Sequence, residues 1–359
     1  MSKSEISVGR TVLKNPLIAG SAEHLIEAGG VRRALRAGVG AVVVKSTNES
    51  ERGRDQLQRA EYMLLDDAWR EIPWTPDAPA TAFIACRSGL TPQSFEAWLE
   101  QTAQLDREAK ASDAYAIASL IVADLAQTVA MAKQVEQAGV RVLELNIGTP
   151  YASQAKGVVS TELDPERVTM IVSAVRQAIG IPLWVKITGQ SERVPDLAAA
   201  AFRAGGEAVV MAGRLLGFIP DVETMQPFLG TSLGVGGYWN LPLTCHWLAV
   251  SRQQLGADKP LIATNGVRSG LDAIRMMLAG ASAVEMSSAV MLRGTSVLSS
   301  ALEEFEAYLQ RKGTSAAELV GVAADQRKTF ADMPLRENNW KKYVADAEQA
   351  AGRKNNATD

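Results

Sequence analysis

Two lysines stand inside otherwise apolar runs of this chain: Lys45 ends VVVK and Lys186 lies in LWVKI. Removing an ammonium from water is costly unless an acid or an anion matches its charge, so each lysine has two readings. It pairs with an acid across a barrel mouth, or it contacts an anionic ligand. Asn146, which ends LELN, lies between the two in the chain, and Ser21 follows the run LIAG. Taken together with Ser46, this set favours a functional site over isolated packing. A second group lies further on: Asn265 and Gly266 in ATNGVRSG, and Ser287 and Ser288 in EMSSAVM. Glycine lets backbone approach an anion closely, and small hydroxyls donate without adding charge, which suits a phosphate. A plain strand-to-helix turn is the alternative, and the nearby glycine-rich LGVGGYWNLP strengthens the phosphate reading.

Other reactive types carry less. Arg52, Arg54 and Arg59 lie in a polar stretch and have the fork geometry to grip a carboxylate, although a stretch rich in both Arg and Glu also pairs internally. Cys245 and His246 have ligand chemistry but no third ligand at a recognisable spacing, so no metal site is predicted. His24 after the first apolar run is read as capping or packing as readily as lining a site, and Trp184 as packing.

The elements that must position these residues follow from periodicity. Short β-branched runs alternate with Ala/Leu-rich amphipathic stretches that end at glycine, as in EQAGVRVLEL, RAGGEAVVMA and LAGASAVEMS. The runs predict eight strands, at 17–20, 41–45, 115–121, 140–146, 183–187, 208–211, 261–264 and 283–286. Nearly continuous apolar strands covered by helices are parallel, and eight such units predict an α/β TIM (β/α)8 barrel with chemistry at the strand ends. Three segments exceed a minimal barrel. Residues 46–80 are read as an active-site lid insertion, and the run 81–86 as a spare strand or a competitor for third place in the barrel. Residues 313–359 are read as a helical extension with a frayed end, leaving 1–312 as the barrel.

Composition narrows the class. The 359 residues carry 37 Lys plus Arg against 40 Asp plus Glu, without a basic block, which argues against a nucleic-acid or anionic-membrane surface. Two Cys outside any CxxC pair exclude a disulfide framework and fit a cytoplasmic protein, and no run is long enough for a membrane span.

Six segments in order resemble the dihydroorotate dehydrogenase family, with the related dihydropyrimidine dehydrogenase catalytic domain, over roughly residues 12 to 312. KNPLIAGSAEH is similar to the family's NPxxxASG opening, GAVVVKSTNESERG to GAxxxKTxT, and LELNIGTP to LNxSCPN. PLWVKI resembles PxxVKL, LGVGGYWNLP the GGxSGxxxxP loop, and PLIATNGVRSGLDAIRMMLAGASAVEMSSAV the segment PIIGxGGIxxxxDAxxxxxAGAxxVQxxTA. The resemblance implies an FMN-containing barrel, with Gly20 and Ser21 beside the isoalloxazine ring and Lys45, Asn146 and Lys186 on flavin and substrate. It implies that Gly236, Gly237, Gly266, Ser287 and Ser288 hold the ribityl phosphate; Ser46 and Asn265 complete the cofactor set.

The departures bear on substrate. Thr149 aligns with the family's general base, a Cys or Ser, and Tyr151 with the following Asn; neither Cys86 nor Cys245 occupies the thiol position. Ala212-Gly213 replaces a pair of side chains that helps grip dihydroorotate, which predicts another substrate. The expectation is an FMN-dependent oxidoreductase acting on a CH-CH bond or its C=C counterpart. Thr149 transfers the proton with Lys45 or Tyr151 as relay, and Asn146, Arg52 and Arg54 contact an acidic or amide-bearing substrate. NAD(P)H or a separate electron-transfer protein is the expected partner, and a homodimer the expected assembly. Alternatives from other classes are a flavin-free barrel lyase or isomerase using Lys45 or Lys186, and a flavin-binding scaffold without catalysis.

Overall fold

In the computed structural model the chain is described over residues 3–148, 164–213 and 215–343. Eight parallel strands close into a barrel: Leu17–Ala19, Ala41–Val43, Tyr115–Ile121, Leu143–Asn146, Leu183–Thr188, Ala208–Gly213, Leu261–Ala263 and Ala281–Met286. The eighth strand returns to the first with Val284 opposite Leu17, which closes the sheet and leaves it no edge. Each predicted strand is present, with ends shifted by at most a few residues. Their alanine, valine, leucine and isoleucine side chains fill the barrel and the layer beneath the helices, and Trp184 is fully buried among them.

The helices begin and end where local chemistry tells them to. Ser94, Asp124 and Ser269 each accept a backbone N–H from three residues on, capping Phe95–Lys110, Leu125–Gln137 and Gly270–Leu278. Gly139, Gly205 and Gly280 follow three helix ends at φ of 82°, 97° and 122°, the left-handed region that lets the chain turn into the next strand.

The run at 81–86 does not compete for the barrel. Phe83–Arg87 is the middle of a separate five-stranded antiparallel sheet, in the order Leu215–Gly217, Leu233–Gly236, Phe83–Arg87, Glu61–Leu65, Glu71–Ile72. The polar stretch expected as a loop therefore carries two strands. Alternation explains the arrangement: one face aligns Leu64 with Ile84 and Tyr62 with Cys86, while Met63, Ala85 and Val235 face a small core with Leu229 and Leu233.

A compact unit extends through Asp325, and a second comprises Gln326–Asp359. The expected helical extension past Lys312 includes the short helix Ala316–Leu319 in the first unit, and within the second unit the described residues form the 3-10 turns Phe330–Asp332 and Asn339–Tyr343, with Pro334 between them. Among the described residues no helix is long and apolar enough to cross a membrane.

One buried carboxylate ties an outer helix to the barrel. Asp106 accepts hydrogen bonds from the Ala116 N–H at 2.9 Å, the Arg141 N–H at 3.0 Å and the Arg141 guanidinium at 2.7 and 2.9 Å. Asp106→Ala removes every one of these acceptors at once, so the urea midpoint is expected to drop by the equivalent of about 3 kcal/mol. An unchanged midpoint would show that Arg141 finds equal solvation without it.

Candidate active site

The C-terminal strand ends open into one cavity of about 1090 Å³, its mouth included. Lys186 lies in the fifth strand, opposite Asn146 of the fourth, and both line the cavity. Parallel pairing places Glu144 beside it on the fourth strand, and barrel closure brings in Glu285 from the eighth. The Lys186 ammonium donates to Glu285 Oε2 at 2.5 Å and to Glu144 Oε2 at 3.4 Å, with both carboxylates fully buried. Burial alone would push the lysine toward its neutral form; the charges of Glu144 and Glu285 more than reverse this, so its pKa is raised. One cation does not balance two buried carboxylates. Burial, reinforced by the charge of Glu144, pushes the Glu285 carboxyl up to about 8 against the pull of Lys186.

Lys45 lies two residues past the second strand, on another side of the cavity. Its ammonium donates to Glu23 Oε1 at 2.8 Å, and its carbonyl accepts the Trp98 indole N–H at 2.8 Å. Burial raises the Glu23 carboxyl, but the charge of Lys45, with hydrogen bonds from Lys45 and the Tyr62 phenol, leaves it below its ordinary range. Tyr62 comes from the inserted sheet, which also contributes Ile84 and Cys86 to the cavity wall, and Trp74, just past its edge strand, joins them. A row of hydroxyls runs out from the Lys186 site: Glu144 Oε1 to Ser119 at 3.0 Å, Ser119 to Ser46 at 2.8 Å, and Ser46 to Ser21 at 3.1 Å.

The far end is built from the turns after the seventh and eighth strands. Asn265, Gly266, Ser287 and Ser288 line it, with Gly236 from the inserted sheet. Gly266 has φ 88° and a Cβ there would lie 2.3 Å from the Leu241 nitrogen, so two turns pack through a position only glycine fills. Asn265, at φ 72°, donates its amide to the Gly213 carbonyl at 2.9 Å and so ties this turn to the end of the sixth strand. A Cβ on Gly236 would meet nothing within 4 Å and would project into open space.

The structure thus brings Ser21, Lys45, Ser46, Asn146 and Lys186 together with Gly236, Asn265, Gly266, Ser287 and Ser288 around one space. Gly20 lies beneath it, where a Cβ would come 2.4 Å from Ser287 Oγ, and Gly237 borders an adjoining cavity that shares Gly266 and Ser288. Arg54 lies off the cavity lining, 3.9 Å from Glu51, within the short helix Glu51–Asp55 that also contains Arg52. Thr149 and Tyr151 lie outside the described residues. Both lysines pair with acids, as the first of their two readings has it, and both still line the cavity. His24 is half-buried with both ring nitrogens shielded from solvent, and burial lowers its pKa to about 4. Among the described residues no cluster of ligand types suits a metal.

Sequence reasoning overlooked Glu23, Glu144, Glu285 and Ser119. The signal was present for two of them: LELN and AVEMS place a glutamate inside an apolar strand, the same anomaly that singled out the lysines.

The family model for dihydroorotate dehydrogenase matches residues 77–309. The chain is 30% identical to the dihydroorotate dehydrogenase B (NAD(+)) catalytic subunit of Methanocella arvoryzae, over 89% of this chain and 98% of the relative. It is 28% identical to the Methanothermobacter thermautotrophicus protein of the same name, with the same coverage. The crystal structure of DHODH from Eimeria tenella in complex with ferulenol has the same fold, with a TM-score of 0.70 at 16% identity over 91% of this chain and 90% of that one.

The charge balance at Glu285 makes stability depend on pH. Its folded carboxyl, at about 8, holds a proton that the unfolded chain releases near 4.3, so this group costs stability as pH rises through that window and nothing further above it. Glu285→Gln never ionises. Urea midpoints of the variant relative to the natural chain should therefore rise from pH 5 to pH 8, and parallel profiles would show that Glu285 is ionised throughout.

Proposed function

The chain belongs to the dihydroorotate dehydrogenase family, and from that premise we propose that it is an FMN-dependent oxidoreductase acting on a CH-CH bond or its C=C counterpart. The observation that carries the proposal is the single cavity lined by two lysines, Lys45 and Lys186, together with the glycines and hydroxyls of the strand-end turns. Its residues fit the cofactor. Gly236 leaves space where any side chain would intrude, and Gly266 keeps backbone close to the far end without net charge. Gly20, Ser21, Lys45, Ser46, Asn146 and Lys186 would hold the ring system, and Gly236, Gly237, Asn265, Gly266, Ser287 and Ser288 the phosphate. When bound, FMN supplies a two-electron carrier that exchanges hydride with substrate carbon at N5.

The protein's own groups then have separate tasks. Lys186, paired with Glu144 and hydrogen-bonded to Glu285, supplies a fixed cation where negative charge develops. Residues 46–80 act as the lid, with Tyr62 and Trp74 helping to exclude water above the reacting atoms. Thr149 gives or takes the substrate proton, relayed by Tyr151 or Lys45, and Arg52 and Arg54 recognise an acidic or amide-bearing substrate. A lysine that forms a Schiff base must first lose its proton, and the double pairing of Lys186 opposes that loss. The lyase alternative is disfavoured at this residue on that ground.

The relatives' names do not support excluding dihydroorotate, so it is the first substrate to offer despite Ala212-Gly213. Those relatives are named NAD(+)-linked catalytic subunits, and by extension electrons here pass to NAD(P)H chemistry through a separate electron-transfer protein.

Purified protein should show flavin absorbance or acquire it on adding FMN; a colourless protein that ignores FMN defeats the assignment. Gly236→Val should weaken FMN binding at least tenfold while leaving the melting temperature of the flavin-free protein within about 2 °C, because the added carbons enter open space. Equal affinity would place the cofactor elsewhere. Anaerobic bleaching by dihydroorotate should be rapid in the natural chain and slower by a factor of roughly 100 in Thr149→Ala, with FMN retained. Equal bleaching rates in the two proteins would remove Thr149 from the proton transfer.

A further inference from the structure

The charges around Lys186 contain one acid more than the lysine can neutralise, and the two acids are not equivalent. Glu144 uses both oxygens, one accepting from Ser119 at 3.0 Å and the other from Lys186 at 3.4 Å. Glu285 commits only Oε2, to Lys186; its Oε1 is buried and has no hydrogen-bond partner among the described residues, although the residue lines the cavity. A side-chain hydrogen bond with Glu144 also favours the protonated form of Glu285. The flanking strands Leu17–Ala19 and Leu261–Ala263 and the hairpin strand Ile6–Val8 carry no titratable side chain. The helix Gly270–Leu278 carries Asp272 and Arg275, which pair with each other, and the next charges at the cavity, Lys45 and Glu23, do likewise. The charged groups acting on Glu285 are Lys186 and Glu144.

We propose that Glu285 is the proton-storing partner of the redox site, positioned by Lys186 and taking up one proton as electrons enter the cavity and releasing it as they leave. This rests on the FMN reading above. A hydride from substrate brings two electrons and one proton, and so adds one negative charge to the site. With Glu285 ionised, that charge meets two carboxylates against a single ammonium. A second proton, drawn from water, forms an O–H bond at Oε1 and restores the previous total charge; the reverse step breaks that bond and returns the proton to water. No further oxidant or reductant is involved. Because linkage is reciprocal, negative charge in the cavity also makes Glu285 a stronger base. Burial sets the carboxyl at about 8 beforehand, so the proton is exchanged from about that pH upward.

The test is the pH dependence of the flavin midpoint potential in the FMN-loaded protein, followed by spectroelectrochemistry from pH 7 to pH 10. Below about 8 Glu285 is already neutral, so one proton should accompany two electrons; above it the slope should double as a second proton is taken up. Glu285→Gln should keep the shallow slope throughout, and Glu285→Asp should keep a break at a shifted pH. In the flavin-free protein, infrared spectra should contain a carboxylic acid C=O band at pH 7 that disappears in Glu285→Gln. A constant slope in the natural protein, or the same break in Glu285→Gln, overturns the proposal while leaving the cofactor assignment standing. Failure to bind FMN at all overturns both. If Glu285→Gln does not fold, the Glu285→Asp break and the natural protein's slope decide the matter.

Discussion

An ammonium enclosed by a closed barrel and faced by two carboxylates is a demanding arrangement, because each charge loses its water and must regain that energy from its neighbours. Lys186, Glu144 and Glu285 come from three strands far apart in the chain, and they meet only because the sheet closes. The barrel must hold them within hydrogen-bond reach, since a loose buried charge costs several kcal/mol. The wall of alanine, valine and leucine around them serves that end. It excludes the solvent that would otherwise weaken every one of these interactions.

The hydroxyl row Ser21, Ser46 and Ser119 extends the same polar system from Glu144 toward the Lys45–Glu23 pair. The row is one hydrogen-bonded chain from the Lys186–Glu144 pair to Ser21, each hydroxyl supported by the next. Such a network is stable when its members are satisfied and costly when they are not, which draws attention to the one oxygen of Glu285 that is left over.

Above the floor, the inserted antiparallel sheet divides its two faces by simple alternation. Cys86 and Ile84 turn to the cavity, whereas Ala85 packs with Leu229 and Leu233. Cys86 reaches the cavity wall through its place in the inserted sheet, opposite Tyr62.

The residue order alone determined the barrel strands, the glycines that end the helices, and the two lysines as anomalies, because these are local properties. Hydrophobic period, turn chemistry and the cost of burying charge are read within a few residues. The same logic applied to Glu144 and Glu285 would have marked them as well, since each interrupts an apolar strand. It would not have named their partner. Pairing depends on strand register and on the closure that sets the eighth strand beside the first, both long-range. The roof had a similar fate: the alternation in EYMLL was short and lay in a polar stretch, so its strand became visible only opposite FIACR. What tertiary structure alone decided was which charge faces which, and hence that the site carries one carboxylate beyond what its lysine neutralises. A sequence specifies each side chain's chemistry, but the electrostatic energy of a buried group depends on neighbours that only the closed fold supplies.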